Sequence, residues 1–263
     1  MKIIDSLIPP PHLNVLITGG AAGIGAVIAK AFHEIEARVY ICDIDAAAVD
    51  RMKREYPGMQ GGVVDVGIKQ DVDRLIEEAV SLLGGLDVLV NNAGIAGPTG
   101  GIEELDAEAW EHTVSTNLNS QFYFLSKAVP FLKRSGRNPH IIAMSSVAGR
   151  LGYPFRTPYA STKWAIVGLM KSLASELGPQ GVRVNAILPG VVAGERMDRV
   201  IDARANALGI GFEAMREQYL EKISLRRMVT MEDVAATVLF LSSPAAMNIS
   251  GQAISVDGNV EYL

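Results

Sequence analysis

Leu13-Asn14-Val15-Leu16-Ile17-Thr18-Gly19-Gly20-Ala21-Ala22-Gly23-Ile24-Gly25 is the stretch from which the rest of the chain is read. An apolar run, Leu13–Thr18, stops at glycines. A helical pattern then follows over Gly23–Ile35, with Ile24, Ile28, Ala31, Phe32 and Ile35 on one face. The glycines are spaced G-x-x-x-G-x-G. A glycine turn between a first strand and a helix lets backbone N–H groups approach a pyrophosphate at the positive end of the helix. Gly19, Ala22, Gly23, Ile24 and Gly25 are therefore candidate contacts to a dinucleotide. An ordinary flexible turn is the bland alternative, but the strand before and the helix after are the context the binding reading requires.

Further along, short β-rich runs alternate with helical patterns. Strands are expected at Arg38–Cys42, Gly61–Asp65, Leu86–Val90, Ile141–Met144, Val182–Leu188 and Ala253–Val256. Helices are expected at Ala46–Glu55, Gln70–Leu83, roughly Ala107–Arg134, Pro158–Leu177 and Met231–Leu241, the last opened by a Thr230-x-x-Asp233 capping box. Strict alternation implies an α/β fold: a doubly wound, Rossmann-type parallel sheet of about seven strands with helices on both faces. The strands lack in/out alternation, as strands buried on both sides do. Residues 1–263 read as one domain. Val191–Leu225 has no strand signal and is punctuated by Gly194, Gly209 and Gly211, so it is a candidate substrate lid. Glu195 and Arg196 at its start could add polar contacts, and Phe212, Met215 and Tyr219 recur at helical spacing.

Composition narrows the function classes. Charged residues make up 20% of the chain and its net charge is -5, with no Lys/Arg run, which argues against a nucleic-acid partner. No stretch reads as a membrane span or signal peptide. The single cysteine, Cys42, cannot form an internal disulfide, and His12, His33, His112 and His140 are scattered without metal-ligand spacing. The expected compartment is the cytoplasm, and no metal is expected.

Asp43 ends the second strand, where a carboxylate can bind the adenosine ribose hydroxyls. It would repel a 2′-phosphate, and the glycine turn holds no Arg or Lys to attract one, so NAD is the expected cofactor. Asp65-Val66 closes the third strand, where a side chain could meet the adenine amino group. Tyr159 and Lys163 share a helix face at i,i+4. A free phenol has a pKa of about 10, and a neighbouring ammonium lowers it, so Tyr159 could exchange a proton with a substrate hydroxyl near neutral pH. Ser146, thirteen residues before Tyr159 and just after the fifth strand, could bond the same substrate oxygen. Each of these pairings alone is weak.

Together they resemble the single-domain short-chain dehydrogenase/reductase family. The resemblance rests on Thr18-Gly-x-x-x-Gly-Ile-Gly25, Asp65-Val66, Asn91-Asn92-Ala93-Gly94, Asn117, Ser146, Tyr159-x-x-x-Lys163 and Pro189-Gly190, in the family's order over nearly the whole chain. It implies Tyr159 as general acid/base, Ser146 as the group that orients the substrate oxygen, and Lys163 as the residue that bonds the nicotinamide ribose and acidifies Tyr159. It further implies that Asn117 holds a water of a proton relay. Asn91, Ala93, Gly94, Pro189 and Gly190 would line the cofactor cleft. The family usually has Thr four residues after Pro-Gly; here Gly194 stands there, so backbone near Val192 is the expected carboxamide anchor.

Ala148, Tyr153 and Arg156 join Ser146 and Tyr159 as candidate substrate contacts, the substrate being a small secondary alcohol or ketone, with hydroxylated and acidic ones both open. In relatives resembling 3-hydroxybutyrate dehydrogenases a Lys at the position of Arg156 contacts a carboxylate, but Ala96 and Ala148 replace the other acid-binding groups. An NADPH-dependent 3-oxoacyl-thioester reductase is the alternative within the enzyme class; it calls for a basic residue in the glycine turn or just after the second strand, and neither is present. A non-catalytic dinucleotide-binding regulator is the alternative outside it, and such a protein has no need of Ser146, Tyr159 and Lys163 together. The resemblance also implies a homotetramer, with Trp164, Val167 and Met170 offered to a partner.

Overall fold

Val15, Leu16 and Ile17 are all fully buried. Consecutive strand residues point to opposite faces, so both faces of the first strand are covered. The computed structural model describes residues 3–262. Its strands are β1 (Asn14–Thr18), β2 (Arg38–Asp43), β3 (Gln60–Val63), β4 (Val88–Asn91), β5 (His140–Met144), β6 (Arg183–Pro189) and β7 (Ala253–Val256). They form one seven-stranded sheet in the order β3-β2-β1-β4-β5-β6-β7, parallel throughout. The strand order reverses between β1 and β4, and an open α/β sheet binds ligands at the carboxyl end of such a switch point.

On one face α1 (Gly23–Glu34), α2 (Ala46–Glu55) and α9 (Met231–Ser242) bring Ile28, Phe32, Val49, Val234 and Val238 against Val15, Ile17, Ile41 and Val90. On the other, α3 (Lys69–Leu83), α5 (Ser120–Leu132) and α6 (Thr157–Leu177) pack Ile76, Phe124 and Ile166 on Leu16, Leu89 and Ile141. The expected capping box forms at α9: Asp233 N–H donates to Thr230 Oγ1 at 3.1 Å and Thr230 N–H to Asp233 Oδ2 at 2.9 Å. Cys42 on β2 is fully buried, and its thiol is pushed far up by burial and then by Asp43. Among the described residues no helix is long and apolar enough to cross a membrane.

Two expectations are corrected. The helix expected over Ala107–Arg134 is two, α4 (Ala107–Val114) and α5, joined by a π turn at Ser115–Asn119 in which Ser120 N–H reaches Ser115 O. One extra residue in the turn leaves helical periodicity readable on both sides. Met170 is not offered to a partner: it is buried in the chain's own core, whereas Trp164 is 52% exposed. The segment after β6 folds into α7 (Glu195–Leu208) and α8 (Phe212–Glu221). Ile201, Met215, Tyr219 and Ile223 make a third apolar cluster with Val147, Val191 and Val260.

At the amino ends of β5 and β6, His140 pairs in register with Arg183, and both are buried. Asn185 Oδ1 accepts from Gln252 N at 2.9 Å, which fixes the amide so that Nδ2 donates to His140 Nε2 at 3.0 Å. The imidazole is thereby held neutral, and burial and then Arg183 push its pKa well down.

Candidate functional site

The turn after β1 closes tightly because glycines allow it. Gly19 and Gly23 have φ of 59° and 53°, and a Cβ on Gly25 would sit 2.0 Å from Gly19 O. α1 starts at Ala22 without a side-chain cap, so the N–H groups of its first turn, from Gly23, Ile24 and Gly25, are open to an anion. Asp43 reaches back to this turn: Oδ2 accepts from Ala21 N at 3.1 Å and Oδ1 from Asp45 N at 3.3 Å. Asp65 Oδ1 accepts from Gly67 N at 2.8 Å, with Val66 buried beside it. Thr18 Oγ1 accepts from the N–H groups of Asn92 and Ala93, both at 2.9 Å, and Asn92 Nδ2 donates to Thr18 O and Gly19 O, both at 3.0 Å. The end of β4 is thus stitched to the glycine turn. Asn91 itself is buried, its carbonyl accepting from Gln121 Nε2 at 3.5 Å.

The carboxyl end of β5 and the first turns of α6 bring Ser146, Tyr159 and Lys163 together. Ser146 caps the short turn Val147–Gly149, its Oγ accepting from Ala148 N at 3.2 Å. Ser145 is occupied elsewhere, its hydroxyl donating to Lys163 O at 2.7 Å. Lys163 Nζ donates to Met144 O at 2.9 Å and lies 5.5 Å from the Tyr159 ring centroid. Gly94 borders the same cluster: a Cβ there would sit 3.1 Å from Asn117 Oδ1 and 3.5 Å from Lys163 Nζ. Burial pushes the Tyr159 phenol up. Lys163, the Ser146 hydroxyl, Arg196 and Arg156 together outweigh burial and leave the phenol more acidic than a free one. Lys163 is held below its usual value by burial, against the opposing pull of Tyr159 and with help from Arg196.

The family model described as enoyl-(acyl carrier protein) reductase matches residues 19–260. The chain is 34% identical over 252 residues to a probable galactose dehydrogenase of Rhizobium meliloti, covering 94% of each. It is 33% identical to an L-rhamnose 1-dehydrogenase (NAD(P)(+)) of Azotobacter vinelandii, covering 94% of this chain and 96% of that one. Among solved structures it is similar to a 3-ketoacyl-(acyl-carrier-protein) reductase from Brucella melitensis complexed with NADH. That match has TM-score 0.84 and 30% identity, and covers 95% of this chain and 98% of the other. An actinorhodin polyketide ketoreductase with NADPH matches at TM-score 0.88 and 29% identity, covering 94% and 96%. The chain belongs to the short-chain dehydrogenase/reductase family.

This short-chain dehydrogenase/reductase departs from the sequence expectations in detail. The Asn117 side chain is committed to protein: Oδ1 accepts from Ile95 N at 2.7 Å, and Nδ2 donates to Ile95 O at 3.0 Å and Thr162 Oγ1 at 3.3 Å. Gly194 has φ of 137°, a conformation glycine adopts and threonine rarely does. Gly190 is required by packing, since a Cβ there would meet Asp257 Cα at 2.7 Å, next to Pro189 at the end of β6. Val192 bridges Val229, but the flanking bonds run from Val229 N to Val191 O and from Ala193 N to Val229 O. Val192's own peptide groups therefore point away from the bridge.

Ala148 is fully buried and meets the site through its backbone. Arg156 Nη2 donates to Ala96 O at 2.9 Å, with the guanidinium 5.4 Å from the Tyr153 ring and 5.5 Å from the Tyr159 ring. Thr18, Asn92 and Thr162 escaped the sequence reading as site residues. The first two lie inside motifs already quoted, whereas Thr162 carries no sequence signal.

Proposed function

We propose that this oxidoreductase transfers a hydride between NAD(H) and a small secondary alcohol or ketone, with Tyr159 as general acid/base. The observation that carries the reading is the convergence of Tyr159 and Lys163, Nζ 5.5 Å from the ring centroid, beside the buried Ser146. A phenol with lowered pKa takes the hydroxyl proton during oxidation and returns it during reduction. Ser146 orients the substrate oxygen, and the Lys163 ammonium keeps the phenol acidic. The Asn117 side chain fixes Ile95, so any water of a proton relay would be held by its backbone.

The glycine turn suits a dinucleotide, because its helix N-terminus has no side-chain cap and a Cβ at Gly25 would strike Gly19 O and keep the turn from closing. Gly19, Ala22, Gly23, Ile24 and Gly25 would hold the diphosphate, Asp43 the ribose, and Asp65-Val66 the adenine. Lys163 would take the second ribose, within a cleft walled by Asn91, Ala93, Gly94, Pro189 and Gly190, and Val192 the carboxamide. When bound, the nicotinamide supplies or accepts the hydride. NADPH and NADH both occur among similar structures. Asp43 and a glycine turn without Arg or Lys favour NAD in this chain. The same absence weighs against an NADPH-dependent thioester reductase, and the full Ser146, Tyr159 and Lys163 set against a non-catalytic regulator.

We further propose that residues 1–263 act as one domain, in the cytoplasm, as a homotetramer; light scattering at micromolar concentration checks the assembly. A screen of secondary alcohols, polyols and hydroxy acids with NAD⁺, read by NADH absorbance, tests the reaction. Turnover of at least one class is expected. Turnover with NADP⁺ alone would overturn the cofactor reading.

A further inference from the structure

Ser146 heads the three-residue turn Val147–Gly149, and its Oγ bond to Ala148 N lies inside that turn. Such a bond fixes the hydroxyl relative to the turn, not the turn relative to Tyr159. The entry is held by Ser145, whose hydroxyl donates to Lys163 O at 2.7 Å. The exit is held by Arg150, whose N–H closes the turn on Val147 O at 3.0 Å. The Arg150 guanidinium then reaches the far end of the chain. Nη2 donates to Asp257 Oδ2 at 2.6 Å and to Val260 O at 2.8 Å, and Nε donates to Ser255 Oγ at 3.1 Å. Val147, at the other end of the turn, packs in the apolar cluster that holds Val260 and Ile201 of α7.

Asp257 is buried and serves as the hub. Its Oδ1 accepts from Asn259 N at 2.8 Å, and its Cα would lie 2.7 Å from a Cβ on Gly190. Gly258 and Asn259 have φ of 65° and 63°, a bend that lays the chain on the segment after α8. There Ser224 N donates to Asn259 O at 3.0 Å and Leu225 N to Gly258 O at 3.1 Å, while Asn259 Nδ2 donates to Ser224 Oγ at 2.7 Å. Ile223 bridges Val260. One guanidinium, in fork geometry that an ammonium cannot copy, therefore joins the serine turn to the Pro189-Gly190 strand end and to the root of α8.

We infer that Arg150 is a positioning residue for hydride transfer: through Asp257 and Val260 it braces the exit of the Ser146 turn against the segment after α8, so that Ser146 Oγ meets the substrate oxygen. The inference rests on the hydride-transfer reading above, in which Ser146 orients that oxygen. A small misplacement of such a group is costly, because the reacting atoms must be aligned.

The test is a double-mutant cycle in the holoenzyme with NAD⁺ and the best alcohol of the screen. Arg150→Met is expected to lower kcat about ten-fold, the scale of one charge-assisted hydrogen bond, with NADH binding unchanged. In a Ser146→Ala background the same substitution is expected to cost nothing further. Equal losses in both backgrounds would show that Arg150 acts without Ser146 and would overturn the inference. Arg150→Lys keeps a charge facing Asp257 and is expected to recover part of kcat; it also carries the comparison if the Met variant does not fold.

Deuterium exchange reads the brace without turnover. In Arg150→Met the amides of residues 147–150 and 223–226 should exchange faster, with β1 and β4 unchanged. Faster exchange there in a protein whose wild type turns over no alcohol would overturn hydride transfer and leave the brace standing. Unchanged exchange and unchanged kcat, in an enzyme that turns over, would overturn the brace and leave hydride transfer standing.

Discussion

Asn117 grips the peptide groups of Ile95 from both sides, Oδ1 accepting from its N–H at 2.7 Å and Nδ2 donating to its carbonyl at 3.0 Å. The π turn that carries Asn117 and the loop after β4 are thereby one unit, pinned beside Lys163. Removing the amide leaves two partly buried peptide groups without their side-chain partner. Asn117→Ala is expected to lose about 1–3 kcal/mol of stability in urea unfolding. Turnover should fall further than the unfolded fraction accounts for. Wild-type stability would show that the grip carries no weight.

Tyr159→Phe keeps the ring and removes the hydroxyl. NADH binding, followed by fluorescence, should survive while kcat falls by about 10² or more. In the wild type, alcohol oxidation should rise with pH through an apparent pKa below the ordinary 10.0 of a phenol, because Lys163, Ser146, Arg196 and Arg156 together overcome burial. That limb should be missing in the Phe variant.

Asp43 is anchored to the glycine turn through Ala21 N. A carboxylate fixed there repels a 2′-phosphate. The wild type is expected to prefer NAD⁺ over NADP⁺ in kcat/KM, and Asp43→Ala to erode that preference. A variant with the wild-type ratio of the two cofactors would remove Asp43 from the selection.

His140 is neutral in the folded protein, its pKa well below 6.5 through burial and Arg183. The unfolded chain binds a proton there near pH 6.5 and the folded one does not. Stability from this residue is therefore full above pH 6.5 and lost as pH falls toward the folded value. Urea midpoints measured from pH 7.5 to 5 should decline, and His140→Gln should decline less over the same window.

The segment of α7 and α8 is expected to act as a lid over substrate. Its amides should exchange with deuterium faster than those of β1 and β4 in the free enzyme, and slow when NADH and a substrate analogue bind together. Unchanged exchange would make it a fixed part of the scaffold. Such a motion has to open the apolar cluster in which Ile201, Met215, Tyr219 and Ile223 pack with Val147, Val191 and Val260.

Much of the fold was legible because βα units leave two coarse marks, apolar runs and glycine stops. β7 was read at both ends, and the other strands within about two residues, since the alternation of periods is local. The π turn was not legible, because one inserted residue at Ser115–Asn119 leaves no mark in composition. Nor was the fate of Met170, whose spacing with Trp164 suits a core and an interface equally. In the site, Ser146, Tyr159 and Lys163 came from motif spacing. The hook of Arg156 on Ala96 O joins residues sixty positions apart, and no pattern within either segment encodes it.

The sole cysteine lies fully buried on β2, its thiol far less acidic than a free one. A thiol reagent can reach Cys42 only when β2 parts from its neighbours or from the helices covering it. The wild-type chain therefore carries its own clock for such openings. The rate at which an aromatic disulfide labels it, measured with and without NADH, counts how often the cofactor-side half of the sheet comes apart, with no residue changed.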